Sequence, residues 1–255
     1  MYTEEELTRL EQEERELTDE AIAILLLILA NTKSNLEKEL RNFYSKYGKD
    51  GVITYAEARK WIGFNDHRRR LTALLVYINE NFDELRVKLT PEFQRMLEEV
   101  IDKEVNFFDV KPDNIADKPL TEGWGADNKT WSERLEDDVA IWCAYILMDI
   151  KQSFLKRTHI DNVLLKLDKR FKSMESVITT LGLSESTAIG SMARRKIFTE
   201  LGVTKYKFYT KPDERRCETC GAMHDLIFPI SAYEVGVTAS PIHPRCRCWE
   251  VPIVD

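Results

Sequence analysis

The sequence predicts a mainly α protein. An elongated helical body spans residues 1–202, and a small C-terminal module of mixed α and β structure follows over residues 203–255. Three observations lead there. Apolar residues recur at helical intervals through almost all of the first 200 residues. After Gly202 the pattern changes to short runs rich in β-branched and aromatic residues, VTKYKFYT, LIFPI and CWEVPIV. Four of the five cysteines and two of the four histidines lie between positions 217 and 248. A module this small is short of core and needs a staple.

Along the body, residues 4–31 read as an acidic helix running into AIAILLLILA (21–30). That ten-residue apolar run is half the roughly 20 residues of a membrane span. The residues before it are acidic, whereas a secretory signal has a basic flank. It is expected to be a helix segment buried on all sides, in the core or against a partner. Leu36, Leu40, Phe43 and Tyr47 then share one helical face. A helix is predicted over 66–88, opened by Asp66, and another from Thr90 with Pro91 at its first position, where the missing N–H costs nothing. Residues 107–130, with prolines, glycines and several Asx residues, read as a long loop. Thr130 and Glu133 form a capping box that opens a helix to about Lys156. Two helices follow, near 160–181 and 185–201, with Gly202 as the stop of the second. The prolines in LIFPI and CWEVPIV suit edge strands of a small sheet.

Composition sets limits. The chain is 43% apolar and 32% charged with a net charge of −7, which argues against a surface coated in basic charge for nucleic acid. The acidity is at the front: the first twenty residues hold nine acids against Arg9 and Arg15, while ten bases face eight acids from Thr187 onward. No signal peptide is evident, so the thiols are expected in a reducing compartment, where clustered cysteines bind metal more often than they pair.

KYGKDGVITYAE has a calcium-loop outline, with Gly51 and Glu57 in register. Lys46 and Gly48 stand where oxygen ligands are required, so the reading is a turn at KDG followed by a short helix from Thr54. His67 precedes three arginines in a solvated first turn that could also meet an acidic partner or a phosphate. His159 has no metal-ligand companion nearby, and Cys143 reads as a small buried apolar residue.

The tail carries the chemistry. Cys217 and Cys220 form a C-x-x-C pair, and HPRCRC adds His243, Cys246 and Cys248. Zinc takes four thiolate or imidazole ligands in structural sites, with no position left open for catalysis. Four of these five complete a tetrahedral site, with His224 in reserve. Cys217, Cys220, His243 and Cys246 are the first choice, and Cys248 in place of His243 the second. A disulfide pair or free thiols are the competing readings. Arg215, Arg216, Arg245 and Arg247 flank the ligands. They would either bind phosphate or a partner carboxylate, or offset the negative charge of a thiolate site.

DERRCETCGAMHDLIFPI and GVTASPIHPRCRCWEVPI together resemble the C-terminal motif of the Mu F-like head morphogenesis family, the phage minor capsid proteins. Asp213, Arg215, Cys217, Cys220, His224, Phe228, Pro241, His243, Pro244, Cys246, Arg247 and Cys248 stand in the family's places, while Asp225 replaces a usual glycine in the turn after His224. NKTWSERLEDDVAIWCAYILMDIKQSF and ELRNFYSKYGKDG are similar to segments of its Gram-positive phage branch. The resemblance implies a structural minor head protein, present in few copies and not an enzyme. Such a protein would associate with the portal through its helical body, inside the procapsid, and aid head assembly or genome passage. It would contact scaffold or major capsid protein, reside in the virion after assembly in the host cytoplasm, and touch no membrane.

Two other functions compete. A zinc module could bind DNA through the basic tail, with the body as an oligomerisation domain. A metal-dependent nuclease could use Met223–Asp225 (MHD), but a ββα-metal nuclease needs a second metal-binding histidine and an Asn on a following helix, and neither follows HPRCRC.

Overall fold

The computed structural model describes residues 2–53, 65–111, 115, 117–211 and 213–253. Its elements are α1 (Glu4–Tyr47), α2 (Asn65–Phe108), α3 (Asp117–Thr121), α4 (Trp131–Leu155), α5 (Ile160–Glu200), β1 (Lys205–Thr210), α6 (Glu218–Met223), β2 (Ile227–Pro229) and β3 (Cys248–Ile253), with a 3₁₀ turn at Ile230–Ala232. Two compact units result. One comprises residues 1–23, 91–134 and 179–255, the other residues 24–90 and 135–178. Among the described residues no helix is long and apolar enough to cross a membrane.

The second unit is built from four helical segments around an apolar centre. Leu25, Leu29, Leu36 and Leu40 of α1 are buried, as are Ile78, Phe82 and Leu85 of α2, Leu135, Ile146 and Ile150 of α4, and Leu167, Phe171 and Ile178 of α5. Phe43 and Phe154 meet with ring centroids 5.7 Å apart. Gly51 ends the turn at KDG with φ +73°, and a Cβ there would meet His159 Nε2 at 2.2 Å. Glycine is therefore required twice, by backbone conformation and by space. The turn closes through a Lys49–Val52 bridge, as the non-calcium reading expects. The helix expected from Thr54, and the side chains of Asp66 and His67, lie outside the described residues.

Three expectations need correction. AIAILLLILA is not buried all round: Ile24 and Leu27 are 41% and 62% exposed, and only one stripe of the run faces the core. The helices expected on either side of Thr90 are one helix. Pro91 lies inside α2, and Thr90 is no cap, because its hydroxyl donates to the Arg86 carbonyl at 2.9 Å. Proline removes one backbone bond at a cost of about 3 kcal/mol. Leu85, Leu89, Phe93, Met96 and Leu97, all fully buried, offset it from both sides.

The helices near 160–181 and 185–201 are also one, α5. Gly182 sits under Ile22, whose Cγ1 a Cβ would approach to 2.9 Å. The polar Ser184–Glu185–Ser186 stretch that suggests a break is an attachment face. Ser184 Oγ accepts from the Arg245 amide at 3.1 Å, and Glu185 accepts from Trp124 Nε1 at 2.9 Å and Arg134 Nη1 at 2.8 Å.

Several signals hold in detail. Glu133 N donates to Thr130 Oγ1 at 3.3 Å and Thr130 N to Glu133 Oε2 at 2.8 Å, the reciprocal bonds of a capping box. Gly202 adopts φ +70°. Its amide reaches the Thr199 carbonyl and the Val203 amide the Phe198 carbonyl, the two bonds of a Schellman stop. The loop of residues 107–130 contains the short helix α3 and a tight bridge between Trp124 and Lys129.

After Gly202 the chain forms a three-stranded antiparallel sheet in the order β2-β1-β3. β1 is central, and the prolines Pro229 and Pro252 lie on the edge strands, where a missing donor is tolerated. Tyr206 and Phe208 of β1 and Trp249 of β3 are fully buried.

Candidate metal centre

Each thiol of the tail is set by local backbone geometry. Cys217 caps α6: its backbone is extended, and its Sγ accepts from the Cys220 amide at 3.3 Å. That knuckle turns Cys217 and Cys220 toward one point. The second half of the site is a β-turn, His243–Pro244–Arg245–Cys246, closed by the Cys246 amide on the His243 carbonyl at 3.1 Å. Pro244 supplies the second position and Arg245 the third with φ +58°, as a type II turn requires. Cys248 opens β3, opposite Thr210.

Five ligand atoms converge as two triads that share one residue. Cys217, Cys220 and His243 form one group, and Cys220, Cys246 and Cys248 the other, with the ligand atoms of each within 4.8 Å of one another. His243 Nε2 is 3.2 Å from Cys220 Sγ, and Cys220 Sγ is 3.8 Å from Cys246 Sγ. His243 Nδ1 lies 2.9 Å from the Pro244 carbonyl, which accepts from a protonated Nδ1. A proton on Nδ1 would leave Nε2, which points at the thiols, as the nitrogen that could meet a metal. No cysteine is paired in a disulfide. Phe208, Met223, Phe228 and Ile242 wrap the cluster in apolar contact.

Electrostatics separate the thiols. A hydrogen bond from Cys248 holds Cys246 down to about 5 despite burial. The same bond, then burial, drives Cys248 up. Burial and the neighbouring Cys246 charge push Cys220 up to about 12. Burial opposes ionisation of Cys217, but the Cys220 amide and His243 lower it on balance. Burial likewise opposes charge on His243, which the Pro244 carbonyl and then Cys246 and Cys217 nevertheless raise.

His224 is not brought to the cluster. Its Nδ1 accepts from the Thr210 amide at 3.2 Å and its ring packs on Tyr209, so it fastens the end of β1 instead. Asp225 adopts φ +62°, the left-handed conformation glycine favours, so the turn after His224 forms with an Asx residue in place.

The arginines do not gather. Arg247 makes a two-pronged pair with Asp213, both bonds 2.5 Å, and this pair holds the Asp213 carboxyl down at about 2. Arg245 Nε donates to Thr180 Oγ1 at 2.9 Å. Arg215 and Arg216 are exposed on the turn before Cys217. Arg15 of α1, not singled out in sequence, donates from Nη2 to the Cys246 carbonyl at 2.9 Å and ties the ligand turn to the helix.

Beside the sheet lies a buried ionic cluster that carries no sequence signal. Arg194 of α5 is 3% exposed and pairs with Glu104 of α2, with Glu250 of β3 at 3.5 Å and with Glu14 of α1 at 3.6 Å. Glu250 also accepts from Tyr233 at 3.0 Å and from the Ser240 amide at 2.7 Å. Burial, and then the nearby Glu104 charge, raises the Glu14 carboxyl well above its ordinary range.

Residues 125–251 match the model of the family described as Phage Mu protein F like protein. The matched stretch takes in α4, α5, β1, β2, the first four residues of β3 and every thiol and histidine of the cluster. No curated protein and no solved structure matches the chain.

Proposed function

The chain belongs to the Phage Mu protein F like family, and on that premise we propose that it is a minor head protein that associates with the portal during phage head assembly. The family match carries this reading. A structural role is also supported by the tail, where the four cysteines and His243 gather into a cluster with apolar side chains packed against it. The test is copurification. The tagged chain coexpressed with the portal protein of the same phage should be recovered with it, and should be found in procapsids. No association in either setting would end this reading.

In the same reading the cluster holds one structural zinc. Cys217, Cys220, His243 and Cys246 are the ligands, and Cys248, whose Sγ lies with those of Cys220 and Cys246, is the alternative for the fourth place. The approach of His243 Nε2 to Cys220 Sγ at 3.2 Å and of Cys220 Sγ to Cys246 Sγ at 3.8 Å supports this choice. When bound, zinc would cross-link α6 to the turn before β3, and four protein ligands would leave it no open position. Cys248→Ala should then retain zinc, whereas Cys246→Ala should lose it. The reverse pattern would transfer the fourth place to Cys248.

A further inference from the structure

The middle of α4 is apolar on both sides. Between Asp138 and Asp149 its residues, VAIWCAYILM, carry no charge. Val139, Trp142 and Ile146 are buried in the core of their own unit. The opposite side is apolar as well. Ile141, Tyr145 and Met148 are 47%, 45% and 43% exposed, and Ala140 and Ala144 are exposed between them. A helix that is apolar all round is one that is covered all round. Contiguous exposed apolar surface of this kind marks a contact site.

The exposed residues form a seam. Asp137, Ile141, Ala144, Met148, Lys151 and Leu155 follow one another at alternating steps of four and three, and all six are exposed. That spacing keeps side chains in one line along a helix that pairs with another helix. The seam is roughly 27 Å long at the rise of an α-helix. Its charges are ordered about Ala144, with Asp137 seven residues before it and Lys151 seven residues after it. Asp149, the acid nearest Lys151, is already met by Arg170 Nε at 2.7 Å. The two ends of the seam therefore differ in sign.

This order selects the occupant. A second copy laid parallel would set Asp137 on Asp137 and Lys151 on Lys151. A second copy laid antiparallel about a two-fold axis at Ala144 sets each Asp137 beside the other chain's Lys151. It also sets Ile141 beside Met148, and the small alanine at the axis lets the helices approach. Such a contact is isologous, one patch meeting itself.

We propose that this face of α4 is a self-association surface, covered by a second copy of the chain in antiparallel pairing about Ala144. The apolar seam supplies the contact, and the ion pairs at its ends set the direction. One helix pair buries less than the roughly 1,600 Å² of a standard interface, so the dimer depends on concentration. The proposal does not rest on the portal reading, because the chain itself carries both halves of the contact.

Sedimentation of the full chain should show one copy at about 1 μM and two copies at several hundred μM. Ala144→Glu, which puts two carboxylates at the axis, should abolish the dimer. Asp137→Lys and Lys151→Asp should each weaken it by about tenfold, and the double swap should restore it. Unchanged circular dichroism should show that these exposed substitutions leave the fold intact. A single copy at every concentration, a dimer that survives Ala144→Glu, or a double swap that fails to restore association would overturn the proposal. A chain that stays single, and whose Ala144→Glu variant no longer copurifies with the portal protein, would give the face to that partner instead.

Discussion

The two units are stabilised by different means. The unit of residues 24–90 and 135–178 buries almost only apolar side chains. Among the described residues, its buried polar side chains, Thr32, Asn81 and Ser153, each bond a carbonyl one turn back in their own helix. The other unit buries Arg194 among three carboxylates, Glu185 against Arg134 and Trp124, and a cluster of thiols. Packing specifies the first, and paired charge and directed ligands specify the second. Apolar packing tolerates substitution by degrees, whereas a buried ion network fails when one member is removed.

The largest effect should come from the ionic cluster. Arg194→Leu leaves Glu104 and Glu250 buried without their cation and should destabilise the chain by ~3–5 kcal/mol in denaturant unfolding. A loss below about 1 kcal/mol would erase the contrast between the units. Leu29→Ala, in the apolar unit, should cost ~2–5 kcal/mol, graded by the cavity it leaves. Leu29→Met should cost less than about 1.5 kcal/mol.

Glu14 tests the same contrast through pH. Its carboxyl is raised in the folded chain above the ordinary 4.5, by burial and then by Glu104. The folded state therefore holds this proton more tightly than the unfolded chain. Its contribution is complete below 4.5 and is lost as pH rises toward the folded value. Glu14→Gln should then raise the unfolding midpoint at neutral pH, with the gain shrinking toward pH 4.5. A gain independent of pH would mean that Glu14 is ionised in the fold. The smallest effect is expected at the cap of α4, where Thr130→Ala should cost ~1 kcal/mol.

This contrast also explains what the sequence made legible. Local signals have local causes, so the Thr130 capping box, the Gly202 stop, the three short strands and the two ligand-bearing turns are all where their residues place them. The errors are places where distant packing overrides a local rule. Pro91 and the Gly182–Ser186 stretch are breakers by propensity, yet α2 and α5 run through them because buried neighbours hold both sides. AIAILLLILA has no polar residue to mark its outer face, so the exposure of Ile24 and Leu27 could not be read from it. Glu14, Glu104, Arg194 and Glu250 are far apart in sequence and look like solvated helix charges until the fold joins them. At the tail, spacing identified the cluster. Only geometry showed that His224 serves β1, that Arg247 is committed to Asp213, and that Cys220 belongs to both triads.

The thiol cluster is where the second mode of stabilisation is most exposed to test. Metal analysis of the purified, folded chain is the most direct measurement. The account predicts about one zinc per chain, as a single four-ligand site requires, with zinc lost from Cys220→Ser together with protection of the sheet against proteolysis. A chain that is free of metal and still protects β1–β3 against proteolysis would contradict it.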